Sequence, residues 1–108
     1  MPFVYRLQKV LEFRIRAKEQ KLLVAQQDVY LQEEKIRQNE AEIRQTIQNK
    51  RTADFRMMEY YDNYLHHLWD KADALEQERR RLQAILDEEQ KKLEKTLTKP
   101  MVIFLIWF

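Results

Sequence analysis

Apolar residues recur every seven residues through the first half of the chain. The row consists of Ile15, Leu22, Val29, Ile36 and Ile43. The positions three residues further on are small or polar: Lys18, Ala25, Gln32, Asn39 and Thr46. This spacing predicts a long helix that packs against another helix as a coiled coil. An apolar stripe extends it towards the N-terminus at four-residue spacing: Phe3, Leu7, Leu11 and Ile15.

The second half of the chain carries two apolar rows with the same period. One row contains Met58, Leu65, Ala72, Leu86 and Leu93 and is interrupted by Arg79. The other contains Tyr61, Leu68, Leu75 and Leu82 and ends at Glu89. A seven-residue repeat sustained over this length predicts a left-handed supercoil with a partner helix.

Residues 48–54 contain no seam residue and separate the two patterns. Asn49 is suited to end one helix, and Thr52 or Asp54 is suited to cap the next. We therefore predict an all-α fold, an antiparallel two-helix coiled-coil hairpin within residues 1–98. Its parts are helix 1 at about residues 2–49, a turn at about 50–54 and helix 2 at about 55–97. Because neither glycine nor proline marks the break, one long helix that dimerises is the alternative.

The C-terminal residues 99–108 form an apolar tail. Thr98 and Pro100 favour the end of helix 2, since the residue before a proline disfavours helical geometry. Eight consecutive apolar residues follow at 101–108, far fewer than the roughly 20 that span a bilayer. Packing on the seam, contact with a membrane surface and an altered gene end are all open for this tail.

The composition disfavours enzymatic chemistry. The chain has no glycine, so it lacks a phosphate-binding loop and a dinucleotide fingerprint. It has no cysteine and no serine, so the commonest nucleophiles and thiolate metal sites are missing. His66 and His67 are adjacent and point about 100° apart on a helix, so they cannot converge on one metal. We expect a protein that is not an enzyme and has no cofactor and no metal site.

Charge is distributed unevenly along the chain. The formal net charge is only +2, too small by itself to imply nucleic acid as a partner. Residues 1–21 nevertheless carry six basic side chains against two acidic ones, Glu12 and Glu19. This basic segment is expected to attract an acidic partner protein. RNA is disfavoured, since the interleaved aromatic residues and glycines of RNA-binding modules are absent.

Aromatic residues cluster close to the predicted turn. The cluster consists of Phe55, Tyr60, Tyr61, Tyr64 and Trp69. A two-helix hairpin has little core in which to bury so many rings. They are therefore expected either to cover the turn or to form a docking face, since tyrosine and tryptophan dominate interface hot spots.

The opening residues 3–14, FVYRLQKVLEFR, resemble the N-terminus of FliJ proteins, the coiled-coil components of flagellar type III export. Residues 61–65, YDNYL, and the helices rich in Gln, Glu and Lys are similar as well. The resemblance covers about residues 2–97. Its opening motif is fairly specific to the family, whereas any coiled coil shares the seven-residue rows.

The resemblance implies a non-enzymatic protein in the cytoplasm, peripheral to the inner membrane at the flagellar base. Its implied partners are the flagellar export ATPase, the export gate protein FlhA and export chaperones, with no nucleic acid and only peripheral membrane contact. The resemblance implies gate binding through Tyr64 and Leu68, with Leu75 as an approximate match. Tyr61 shares one helical stripe with these residues and is expected to bind the gate with them. At the ATPase end we expect Arg6, Lys9, Arg14 and Arg16 to make contacts.

Family members usually continue the second helix further, so we expect an incomplete ATPase-facing end. Two other functions fit the same pattern. One is a generic coiled-coil adaptor or the stalk of a virulence type III secretion system. The other is a peripheral membrane-binding helix that uses the basic N-terminus and the apolar tail.

Overall fold

The computed structural model describes residues 2–99 as an all-α hairpin, which confirms the predicted fold class. Helix α1 spans Pro2–Arg51, a short 3-10 helix spans Phe55–Met57, and helix α2 spans Met58–Thr98. α1 continues two residues past its expected end, and α2 begins three residues late because the 3-10 helix occupies its predicted first turn. The predicted apolar tail lies outside the described residues, apart from Lys99.

The composition of the two helices explains their length. Leu, Gln, Glu, Lys, Arg and Ala predominate, and all lose little side-chain freedom in a helix. Pro2 occupies the first helical position of α1, where its missing N–H would have had no intrahelical partner. Lys50 and Arg51 lie in the last turn of α1, where positive charge favours the helix dipole.

The turn forms without glycine, since no described residue has a positive φ. The Ala53 amide donates to the Lys50 carbonyl at 3.2 Å. The Thr52 hydroxyl donates to the Asn49 carbonyl at 3.2 Å, so Thr52 satisfies the end of α1 and does not cap α2. Asp54 takes the extended N-cap conformation before the 3-10 helix, but its side chain makes no capping hydrogen bond.

The chain divides into two compact units, each containing part of α1 and part of α2. The unit formed by residues 29–81 contains the turn, and its buried apolar residues are Val29, Leu65 and Leu68. The helices there are antiparallel, because Gln32 Nε2 donates to the Leu75 carbonyl at 2.9 Å while Asn39 Nδ2 donates to the Leu68 carbonyl at 3.1 Å.

The other unit contains residues 2–28 and 82–99 of the described chain. Ala25 and Thr96 are buried there, and the Lys18 ammonium donates to the Thr96 hydroxyl. Thr96 extends by one repeat the row that was expected to end at Glu89.

One member of the predicted N-terminal stripe is misplaced. The Phe3 side chain is 73% exposed, whereas Val4 is half-buried along with Leu7, Leu11 and Ile15. Val4 lies seven residues before Leu11, so it stays on the face of α1 that contacts α2. The four-residue step from Leu7 to Phe3 instead turns Phe3 away from that face.

Candidate docking surfaces

The first turns of α2 present an array of aromatic rings in the unit of residues 29–81. The Tyr60 ring lies parallel to the Tyr64 ring, with centroids 6.5 Å apart, and meets the Tyr61 ring edge-on at 5.5 Å. The Tyr64 ring also lies 6.3 Å from the His67 ring. Residues one turn apart on a helix share a face, so the spacing of Tyr60, Tyr64 and His67 brings their rings together. The result is a continuous aromatic surface in which Tyr60 is the exposed tyrosine, while Tyr61 and Tyr64 are half-buried.

Tyr64 is anchored to the opposite helix by its phenol group. The hydroxyl donates a hydrogen bond to the carboxylate of Glu42 on α1. This hydrogen bond, assisted by desolvation, raises the pKa of Tyr64 above its ordinary value. The phenol therefore stays protonated at physiological pH, and the anchored ring is held in one orientation without any partner.

The four residues expected to bind the export gate occupy different environments. Leu68 is only 1% exposed and packs in the core between α1 and α2. Tyr61, Tyr64 and Leu75 are half-buried at the edge of the helix contact. Only the tyrosines are joined in the ring array, and Leu68 cannot be touched by a partner unless the helices separate.

Tyr60 belongs to the ring array, although it was not among the four gate-binding residues expected from the sequence. Its four-residue spacing to Tyr64 was the signal available in the sequence. Trp69 is also exposed, and its ring meets that of His66 edge-on at 5.4 Å. Within residues 2–99, no ring contact joins the pair of Trp69 and His66 to the ring array.

The basic residues expected at the ATPase end are all exposed on α1, in the unit of residues 2–28 and 82–99. The Lys9 ammonium lies 3.6 Å from the Glu12 carboxylate and 5.4 Å from the centroid of the Tyr5 ring. Arg6, Arg14 and Arg16 form no ion pair with any residue of the described chain. Their guanidinium groups are thus available to acidic groups of another molecule.

A shallow groove of about 270 Å³ lies between α1 and α2 in the same unit. Its apolar part is formed by Val24, Ala25 and Ile85. Its polar rim consists of Gln20, Lys21, Asp28 and Glu89.

Residues 2–99 contain no group of three His, Asp or Glu side chains placed to hold a metal ion. His66 packs on Trp69 and His67 on Tyr64, so the two imidazoles face different neighbours. No helix in the described part of the chain is both long and apolar enough to cross a membrane.

Comparison with protein-family models, with curated proteins and with solved structures finds no match for this chain.

Proposed function

We propose that this chain is a non-enzymatic component of the flagellar type III protein export apparatus. It binds the export ATPase, the export gate protein FlhA and export chaperones, and acts in the cytoplasm at the inner membrane. The observation that carries this proposal is the ring array beside the turn of an all-α hairpin, in which the exposed Tyr60 ring lies parallel to the half-buried Tyr64 ring. The assignment to flagellar type III export rests on the resemblance of residues 3–14 to the start of FliJ proteins.

The ring array is the surface that meets the export gate. Tyrosine rings bury a large apolar area with few rotatable bonds, so they lose little entropy when they bind. Tyr64 is fixed by Glu42 before binding, which lowers that cost further. Leu68 contributes indirectly, by packing α2 against α1 beneath the rings.

The basic segment, defined by Arg6, Lys9, Arg14 and Arg16, is the surface that meets the ATPase. Guanidinium groups can bind carboxylates through two parallel hydrogen bonds, which gives orientation as well as attraction. A helical hairpin held in this way changes the ATPase only through contacts that differ between its subunit states. Its effect on the ATPase is therefore a shift of conformational populations.

The gate contact is tested by the double substitution Tyr60→Ala and Tyr64→Ala. We expect binding to the cytoplasmic part of the gate protein, measured by calorimetry, to weaken by at least about tenfold, as for loss of an interface hot spot. Tyr30→Ala is the matched control, since Tyr30 is equally exposed on α1 but outside the ring array. Undiminished affinity of the double variant would show that the rings do not dock the gate.

Leu68 is left intact in that experiment because Leu68→Ala opens a cavity in the core. Such a substitution typically costs about 2–5 kcal/mol of unfolding free energy. A loss of binding would then report unfolding and not a missing contact.

The ATPase contact is tested by reversing three charges with Arg6→Glu, Arg14→Glu and Arg16→Glu. A pulldown with the export ATPase at moderate salt should lose most of the bound protein, because attraction is replaced by repulsion at the acidic partner. Arg44→Glu is the control, since Arg44 is an exposed arginine of α1 in the other unit. Equal recovery of the triple variant and the wild type would refute the assignment of this end.

A further inference from the structure

A second seven-residue row of apolar residues runs along the outer face of α1. Its members Phe3, Val10, Ala17 and Val24 are all exposed. The side chains of Phe3, Val10 and Val24 are 73%, 48% and 46% exposed. Helix α2 does not cover this outer row, because α2 packs on the inner rows that contain Ile15, Lys18 and Ala25. The packing of the hairpin therefore does not explain the row.

The outer row has the spacing of a helix-packing seam. At about 100° per residue, positions seven apart lie only about 20° apart around the helix, so the four side chains form one nearly straight line. Phe13 widens the line, since it lies about 60° from Val10 on the same face. Val24 also borders the groove that contains Ala25 and Ile85, which offers a depression for a packed side chain.

The charges beside the outer row have one sign from Phe3 to Lys21. Arg14 lies about 40° around the helix from Val10, and Lys21 lies about 40° from Ala17. Arg6 lies on the other side, about 60° from Phe3. The two acidic residues of this stretch, Glu12 and Glu19, lie about 160° from the row, on the far side of α1. The first acidic flank is Asp28, on the rim of the groove.

We propose that the outer row binds an amphipathic helix of another protein, whose apolar stripe is flanked by Asp and Glu. The seven-residue spacing fits side chains of a helix, and the flanking Arg6, Arg14 and Lys21 fit acidic residues beside its stripe. A helix docked here makes a three-helix contact with α1 and the border of α2. Arg6 and Arg14 also belong to the basic segment assigned above to the ATPase, but the inference does not depend on that assignment.

The same observations disfavour two other occupants. A helix that lies in a membrane surface needs a broad apolar face. The outer row supplies only one apolar residue about every two turns, and charged side chains border it closely. A second copy of this chain that docked through the same row would bring Arg6, Arg14 and Lys21 against their own counterparts. Like charges at such a contact oppose association.

The test uses a synthetic helical peptide of about four heptads, with Leu at the two seam positions and Glu at the flanking positions. The control peptide carries Lys in place of Glu. We expect the full chain to bind the Glu peptide at least about tenfold more tightly than the Lys peptide, with an affinity that falls as salt rises. No binding, or equal binding of the two peptides, would overturn the proposal.

Substitutions in the outer row identify the face used. Val10→Gln with Val24→Gln should weaken binding of the Glu peptide at least about tenfold, while Phe55→Gln, at an exposed ring beside the turn, should leave it unchanged. Ala17→Glu is a second variant that keeps helix propensity and repels the acidic peptide. If these variants fold, as circular dichroism reports, and still bind like the wild type, the outer row is not the site.

Two further measurements separate the alternative occupants. Flotation with vesicles that contain phosphatidylglycerol should leave the chain unbound, and sedimentation should show no self-association through this face. Vesicle binding that disappears in the Val10 and Val24 variant would replace the proposal with a membrane surface. Self-association that disappears in the same variant would replace it with a second copy. Neither experiment contains an export component, so each outcome is independent of the ATPase pulldown.

Discussion

At the scale of single residues, the most informative feature is the polar row of α1. Gln32, Asn39 and Thr46 are buried, although the sequence pattern marks their row as the weaker of the two. The periodicity of α1 correctly predicts which residues face α2. It could not predict which row lies deeper, because depth depends on how closely the backbones approach. Hydrogen bonds from Gln32 and Asn39 to carbonyls of α2 require that close approach.

Asn39 is expected to limit stability while fixing the pairing of the helices. Its side chain is 2% exposed, its Nδ2 donates to the Leu68 carbonyl, and its Oδ1 has no hydrogen-bond partner within residues 2–99. An unsatisfied buried acceptor costs about 1–3 kcal/mol. We therefore expect Asn39→Leu to raise the unfolding free energy by about 1 kcal/mol in urea denaturation, since it removes that cost and adds apolar burial.

The same variant should lose specificity, because a polar residue in a coiled-coil seam selects one register and one oligomeric state. Size-exclusion chromatography should show mixed species for Asn39→Leu and a single species for the wild type. Asn39→Gln keeps a polar side chain at the site and provides the matched control. A less stable or uniformly monomeric Asn39→Leu protein would contradict this account of Asn39.

The candidate gate site shows the same limit of sequence reasoning. The stripe of Tyr61, Tyr64, Leu68 and Leu75 is a property of helical spacing, and spacing alone does not separate an exposed edge from a core position. Leu68 continues the inner row and is buried, whereas Tyr60 lies one position outside that row and is exposed. The hydrogen bond from Tyr64 to Glu42 joins residues distant in sequence, so a local sequence pattern cannot predict it.

At the scale of elements, α2 carries local ion pairs between half-buried and exposed side chains. The Glu76 carboxylate accepts hydrogen bonds from Arg79 at 2.9 and 2.8 Å and lies 3.4 Å from Arg80. Glu78 accepts from Arg81 at 2.9 and 2.5 Å. Pairs three and four residues apart stabilise a helix modestly, because both partners remain in contact with water. They support a helix whose main stabilisation is packing against α1.

These pairs predict how the stability of α2 depends on pH. The hydrogen bond from Arg79 is the main reason that the pKa of Glu76 is lowered in the folded protein, and Arg81 acts likewise on Glu78. A carboxyl with a lower pKa when folded stabilises the fold above its ordinary pKa of about 4.3. The stabilisation is lost as the pH falls through the folded pKa. We expect the melting temperature to decrease over that range.

Glu76→Gln should make this decrease smaller, since glutamine has no charge to lose. Glu40→Gln is the control, because Glu40 is exposed on α1 and forms no ion pair within residues 2–99. Melting curves followed by circular dichroism between neutral pH and about pH 3 give the comparison. If both variants lose stability on acidification as much as the wild type, Glu76 is not a source of the pH dependence.

The turn is the element that sequence reasoning located within a few residues but did not resolve in detail. Thr52 and Asp54 are both candidate caps for α2, but the Thr52 hydroxyl bonds to α1 and the Asp54 side chain makes no capping hydrogen bond. Capping depends on the backbone angles at each residue, and residues of the same chemical type can satisfy either neighbouring helix. The absence of glycine allows a continuous helix as the alternative, yet negative φ angles throughout residues 2–99 suffice for this turn.

At the scale of the whole molecule, the partner of each helix decides between the two architectures that the periodicity allows. Two buried side-chain amides of α1 donate to carbonyls of α2 in the same chain, Gln32 to Leu75 and Asn39 to Leu68. In a dimer of continuous helices these polar groups would need partners from a second chain. The hairpin therefore needs no second copy to bury its seam. We expect a monomer of 13.4 kDa in sedimentation equilibrium.

A monomeric hairpin also predicts a melting temperature that does not change with protein concentration, because unfolding then involves one molecule on each side of the equilibrium. The matched comparison is Asn39→Leu, which is expected to admit dimers and so to melt at higher temperature as its concentration rises. A wild-type protein with twice the monomer mass and a concentration-dependent melting temperature would show that the continuous helix forms in solution. The intrachain hydrogen bonds of Gln32 and Asn39 would then have to be replaced by bonds between chains.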